Sequence, residues 1–415
     1  MKIIKPITIT WLAIFVLQSH AQRIATLKVE LPAATSGLDI PVSTNLDNIT
    51  FLGDSSLSLV EVINGKTIPV PFQVRQGDHR ELAWTVTHTA DAAKKRVYQL
   101  MQGTAAPFTI VSAYNNEGTL TLHAGDRNLL RYYFKTLYPP EGIDTNYKRS
   151  GFIHPLWTPH GQELTRIQAP DHYHHYGIWN PWTHVLFEND TVDFWNIKGR
   201  KGTVRFAKMI SVSGGPVFSE FEALHEHVVF KKEGTEKVAL NEVQTVRVYH
   251  PEENSEYYVV DITSRLSCAT ESSFLIMAYR YGGLGWRTTG FWDNTNCEVL
   301  TSEGKTRINT DNSKARWCIV QGALENNDYG GAVMLSYPAN YNHPEPLRIW
   351  TLNTNGRGDM FANFAPTKDK DWLLVPGKTY VLKYRLVVFN GKFDKKKAES
   401  AWQYFAMPPK VTVKK

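Results

Sequence analysis

The chain has 415 residues, with 46 Lys and Arg against 40 Asp and Glu, and a formal charge of +6 that is too small and too scattered for a nucleic-acid-binding face. Beyond Leu17 no apolar run reaches the roughly 18 residues that cross a bilayer, so no membrane-spanning helix is expected there. The three cysteines, Cys268, Cys297 and Cys318, lack the close spacing of a zinc knuckle or redox pair and read as buried, inert thiols.

In chain order, Lys2 and Lys5 precede an apolar stretch from Ile7 to Leu17, and Ser19-His20-Ala21 stand before Gln22. That is the pattern of a cleavable secretory signal peptide over residues 1–21, which implies an exported protein, periplasmic or secreted. Residues 22–107 carry short strand-like runs at Thr26 to Leu31, Leu57 to Ile63, Ile68 to Val74 and Glu81 to Thr87, the size and spacing of a small β-sandwich. Residues 108–415 hold longer runs of period-two alternation, notably Phe218 to Phe230, Glu256 to Leu266 and Thr379 to Val388. Gly214-Gly215, Pro376-Gly377 and Asn390-Gly391 punctuate them, which suits two large antiparallel sheets packed face to face. Only Lys395 to Phe405 reads as a helix, with Ala398, Trp402 and Phe405 on one face and Pro408-Pro409 closing it. The expected fold is all-β with one short C-terminal helix.

The chemistry concentrates in Asp171 to Trp182, DHYHHYGIWNPW. Imidazoles exchange protons near neutral pH and bind transition metals, and a core would rather use aliphatic residues. On an extended strand His172 and His174 point one way and His175 the other. One imidazole can serve as acid or base, with Asp171 fixing its tautomer. An H-x-H pair at His172 and His174 could alternatively bind a metal with a third ligand from elsewhere. A structural hydrogen-bonded cluster is the remaining option. The pair His225 and His227 sits on an amphipathic strand and reads as structural, with Glu222 beside it as a minor carboxylate candidate. His160, Asp193, Arg280, Arg287 and His343 lie in turn-rich or aromatic segments that could reach the same cleft. The glycines of Tyr279 to Arg287 permit close backbone approach to a ligand, and either arginine there could clamp a carboxylate. No serine-hydrolase elbow, zincin helix or calcium loop is present.

The run HPLWTPHGQELTRIQAPDHYHHYGIW, followed by VDFW at Val192 to Trp195, resembles the signature of a bacterial domain family labelled "methane oxygenase PmoA". YGGLGWR, the Pro338 to Pro344 segment and the closing YRLVVFNGK…AWQYFA also look like landmarks of that family, over roughly residues 108–407. The resemblance implies a secreted protein of carbohydrate catabolism with a galactose-mutarotase-like supersandwich. Two departures stand out: Tyr173 replaces the usual proline and Tyr176 the usual arginine. If that arginine binds an anionic group, this chain prefers a neutral substrate or recruits Arg287.

The resulting expectation is a secreted enzyme acting on a glycoside or oligosaccharide, by hydrolysis ahead of elimination. His174 or His172 is the acid/base and Asp171 its orienting carboxylate. His175, His160, Trp179, Tyr176, Asp193, Arg280, Arg287 and His343 contact substrate. No cofactor is called for. The competing readings are a non-catalytic carbohydrate-binding protein and a metal-dependent protein built on the H-x-H pair.

Overall fold

The computed structural model describes residues 22–31, 37–87 and 95–415; the expected signal segment, 1–21, lies outside them. Nearly all of the regular structure is strand, and the single α-helix among the described residues is Lys395–Ala406, capped by the Asp394 carboxylate on the Lys397 amide. The expected all-β class with one short C-terminal helix is what the chain forms.

Two large antiparallel sheets make the body. An eight-stranded sheet runs Gly202–Ser213, Phe218–Phe230, Glu236–Tyr249, Tyr257–Cys268, Thr379–Asn390, Tyr329–Ser336, Trp317–Ala323 and Cys297–Thr301 in spatial order. The ladder between Tyr257–Cys268 and Thr379–Asn390 holds an unbroken register, from Tyr257↔Phe389 to Ser267↔Thr379. The opposing nine-stranded sheet is built from shorter strands, with Glu345–Ile349, Phe361–Phe364, Gly285–Arg287, Ile178–Trp179 and Phe152–Leu156 adjacent at its centre. Leu122, Leu130 and Trp286 from this sheet meet Phe221, Val260 and Leu386 from the other in one apolar cluster.

Period two then decides what the outer face of the nine-stranded sheet carries. Ile153, Ile178, Ile349 and Ala362 point into the sandwich. Their neighbours Phe152, Trp179, Trp350 and Phe361 point out, where with Tyr176 and Trp195 they form a second aromatic cluster. That cluster is a floor laid on the back of a sheet, and the histidine-rich hairpin folds over it.

The N-terminal region forms a five-stranded and a three-stranded sheet around their own apolar cluster, which includes Leu27, Leu59, Trp84 and Leu100. The final strand, Lys410–Lys414, returns to this region and pairs with Arg23–Glu30, Thr26 opposite Lys414. Cys268, Cys297 and Cys318 are all free thiols, and burial pushes the Cys297 thiol up to about 12.

Candidate functional site

The hairpin Ile167–Ala169 with His172–Tyr176 places the histidines. Its two pairings, Ile167↔Tyr176 and Ala169↔His172, set five residues of one strand against three of the other. The surplus breaks the alternation, with Gln168 at φ 48°. His175 therefore does not point away from its neighbours as strict extension required. All three imidazoles converge: ring centroids lie 5.2 Å apart for His172 and His174, 4.6 Å for His172 and His175, and 4.7 Å for His174 and His175. Gly177 ends the hairpin at φ 54°, where a Cβ would stand 2.1 Å from the Ile153 carbonyl oxygen. Only glycine allows the strand to turn there and continue into Ile178–Trp179.

The rings line a cavity of about 290 Å³ with Trp195, Asn196, Arg280, Tyr281, Arg348, Trp350 and Phe361. Among the described residues no carboxylate lines it. Trp195 sits tight over the sheet because Gly285 offers it no side chain; a Cβ there would lie 2.7 Å from the indole. Arg280 is exposed, its guanidinium lies 5.4 Å from the Tyr281 ring centroid, and no carboxylate is within ion-pair distance of it among the described residues. Arg348 is paired with Asp311 at 2.5 Å.

Behind the imidazoles stands a charged support. Asp171 Oδ2 meets His172 Nδ1 at 2.8 Å, both Asp171 oxygens accept from Arg287 Nη2 at 3.0 and 2.8 Å, and Asn355 donates at 2.6 Å. Partial burial works against ionisation of Asp171, but the His172 hydrogen bond and the Arg287 charge overcome it and hold the carboxyl well below the usual range. Burial, reinforced by His172 and Arg149, pushes His174 down to about 3. Burial does the same to His175, with His174, His172 and Arg287 adding to it, so both rings are neutral at pH 7, each with one N–H and one nitrogen lone pair. Burial raises the Tyr281 hydroxyl, which donates to Asn196 Oδ1 at 3.1 Å, to about 12.

Buried polar atoms without a partner gather here. Among the described residues they include His175 Nδ1, Arg287 Nη1, Trp179 Nε1 and Arg149 Nε. Native interiors leave few such atoms, and each needs an explanation, of which a bound group is one.

The expected site is thus assembled in part. His172, His174, His175 and Arg280 line one cavity, and Asp171 and Arg287 brace it from behind. Arg287 is only 1% exposed and lies 4.5 Å from the Trp350 ring centroid, so it positions Asp171 and is not the recruited substrate arginine. Tyr176 is also corrected: it is fully buried in the aromatic floor, accepts from Gln168 at 2.8 Å and donates to the Tyr147 carbonyl. Trp179 is buried beneath His175, with centroids 5.1 Å apart. Asp193 is spent on a turn, accepting from the Trp195 and Asn196 amides at 2.8 and 2.9 Å, and so positions two lining residues. His160 and His343 do not reach the cavity. The first lies between Asp328 and Glu256, and the second faces Ser336 and Trp402. Glu222 is paired with Arg265 at 2.7 Å on the other sheet. Sequence reasoning missed Asn196, Arg348, Trp350 and Phe361; only Tyr281 and Trp195 fell inside motifs it had marked.

A family model described as "Family of unknown function (DUF6807)" matches residues 119–403. The chain belongs to that family. The DUF6807 match spans the histidine hairpin, every cavity-lining residue and all but one of the strands of the two large sheets. No curated protein matches the chain. Among solved structures it is similar to the heparan sulfate lyase HepC from Pedobacter heparinus, at 12% identity and a TM-score of 0.34 over 71% of this chain. The chain spans only 38% of that enzyme, a likeness too slight to inform the chemistry.

Proposed function

We propose that this DUF6807 member is a carbohydrate-active enzyme acting on an anionic glycoside or oligosaccharide in the three-histidine cavity. The observation that carries the reading is the lining itself: three imidazoles, aromatic walls, an unpaired arginine at Arg280, and no carboxylate. Hydrolysis by two carboxylates needs an acid and a base or nucleophile flanking one bond. Asp171 is engaged behind the rings, Asp193 in a turn and Glu222 on the opposite sheet, so that pair is not assembled. The order of preference between hydrolysis and elimination therefore reverses.

In an elimination, a base removes the proton on the carbon beside a uronate carboxylate, the bond to the adjacent glycosidic oxygen breaks, and a double bond forms between the two carbons. The departing oxygen takes up a proton. Arg280 neutralises the carboxylate, a neutral imidazole or a water held by the imidazoles accepts the proton, and the protonated Tyr281 hydroxyl faces the departing oxygen. Trp195 and Trp350 supply the apolar faces on which sugar rings stack. Export through a signal peptide over residues 1–21, a division near residue 107 and the narrower kinship with PmoA-labelled proteins belong to the same proposal. The HPLWTPHG and DHYHHYG motifs support that kinship.

The test is a panel of uronate-containing and neutral glycans. Elimination gives the ultraviolet absorbance of a new carbon–carbon double bond, whereas hydrolysis gives reducing ends without it. His174→Ala should abolish turnover, and Arg280→Met should raise KM for uronates by at least tenfold. Binding of glycans with no turnover anywhere on the panel leaves a carbohydrate-binding module; turnover of neutral glycans unaffected by Arg280→Met refutes the anionic substrate.

A further inference from the structure

We propose that His172, His174 and His175 together hold one divalent transition-metal ion of the zinc class, with the fourth position facing the cavity. One ring nitrogen from each of the three lies within 4.8 Å of the others. Zinc–imidazole bonds of about 2.0–2.1 Å place tetrahedral nitrogens about 3.3 Å apart, so the widest pair must close by roughly 1.5 Å, within reach of small side-chain rotations. Two of the three, His172 and His174, are partly accessible from the cavity, which gives an ion a route in.

Two independent features point to a ligand rather than to packing. His175 is 3% exposed, faces the cavity, and has a buried Nδ1 with no partner in the protein. His172 donates its Nδ1–H to the Asp171 carboxylate at 2.8 Å, which leaves Nε2 for the cluster. A carboxylate behind a ligating imidazole is the arrangement that fixes the ring's tautomer and raises its strength as a ligand. Here the carboxylate is itself held by Arg287 and Asn355, so the imidazole's orientation is set by three residues and not by the hairpin alone. Catalytic zinc sites use three protein ligands and keep one position open. The remaining lining residues, Asn196, Arg280 and Tyr281 among them, share the cavity into which that position would open.

The proposal rests on and deepens the glycan reading: with all three imidazoles on the ion none is free to accept the proton, and the base would be the water held at the open position. Its test needs no glycan. The full chain, expressed without a polyhistidine tag and stripped with a chelator, is titrated with Zn²⁺ by calorimetry and with Co²⁺ by its visible spectrum. One ion per chain is expected, with affinity at least 100-fold weaker in His174→Ala and in the partly exposed His172→Gln, and about 10–100-fold weaker in Asp171→Asn. His79→Ala, an exposed histidine far along the sequence, should match the wild type. Circular dichroism confirms that each variant is folded, and His172→Gln serves where His174→Ala is not. Uptake below half an ion per chain, or uptake unchanged in both histidine variants, overturns the metal site. Glycan turnover by a chain that takes up no ion overturns the metal and spares the glycan reading; stoichiometric uptake with no turnover on any glycan does the reverse.

Discussion

Glu345→Gln should exchange a pH-dependent weakness for a small fixed one. Glu345 begins a strand of the nine-stranded sheet and is fully buried, reaching Ser336 at 2.5 Å, Asn340 at 2.8 Å and the Tyr384 hydroxyl at 2.9 Å. Burial raises its carboxyl from 4.5 to about 7, against the pull of those three hydrogen bonds. A raised carboxyl stabilises the fold while it keeps its proton, fully so below the unfolded value near 4.5. That contribution is lost as pH climbs through 7. With 1.36 kcal/mol per pH unit, the loss between pH 5 and pH 8 is about 2.5 kcal/mol. Glutamine cannot ionise, but its amide would face the Tyr384 hydroxyl and forfeit about 1 kcal/mol of hydrogen bonding. The variant should therefore be about 1 kcal/mol less stable than the wild type at pH 5 and about 1.5 kcal/mol more stable at pH 8. Guanidinium unfolding of both proteins at several pH values reads this directly. Parallel profiles, or a wild type that gains on the variant as pH rises, would refute the assignment of Glu345 as a carboxyl forced to stay protonated.

Three further outcomes follow from the geometry around the cavity. Burial, with Arg131 nearby, lowers His154 to about 4, so it is neutral when folded. Stability from a depressed histidine is present above its unfolded value of 6.5 and lost as pH falls towards 4, so His154→Gln should close on the wild type by about 2 kcal/mol between pH 7.5 and pH 5 in the same unfolding assay. Gly177→Ala places a methyl 2.1 Å from the Ile153 carbonyl at a left-handed φ, and should cost more than about 3 kcal/mol or abolish folded protein, as monitored by thermal melting. Trp350→Ala removes the ring beneath Arg287 and beside His172, whose centroid is 4.9 Å away, and should lower stability by about 3–5 kcal/mol; a loss under 1 kcal/mol would show that the aromatic floor does not carry the site.

The long strands were legible because alternation is local. Phe218–Phe230 is observed as read, and Thr379–Asn390 and Tyr257–Cys268 are within a residue or two of the runs seen in the sequence. The helix needed only its apolar spacing and the two prolines after it. The histidine cluster was visible as density, but its geometry was not. Alternation sent His175 the wrong way because the hairpin carries surplus residues that no local pattern announces. Arg348, Trp350 and Phe361 enter the cavity through strand order, which joins segments nearly 200 residues from the histidines, and an ordinary R-I-W has no mark of it. The same non-local freedom misplaced His343: a Pro-flanked loop near the site in expectation lies instead beside the C-terminal helix. Lys410–Lys414 has as its local mark only the alternation of Val411 and Val413 after the prolines.

That last strand has a temporal meaning. The strand Arg23–Glu30, made early, acquires its second neighbour only once Lys410–Lys414 has been made. Until then it is an open hydrogen-bonding edge, the kind of surface that recruits other chains. Completing the small sandwich thus waits for residues 410–414, and deleting 410–415 should leave a protein that assembles its histidine cavity yet aggregates through Arg23–Glu30, as light scattering would read.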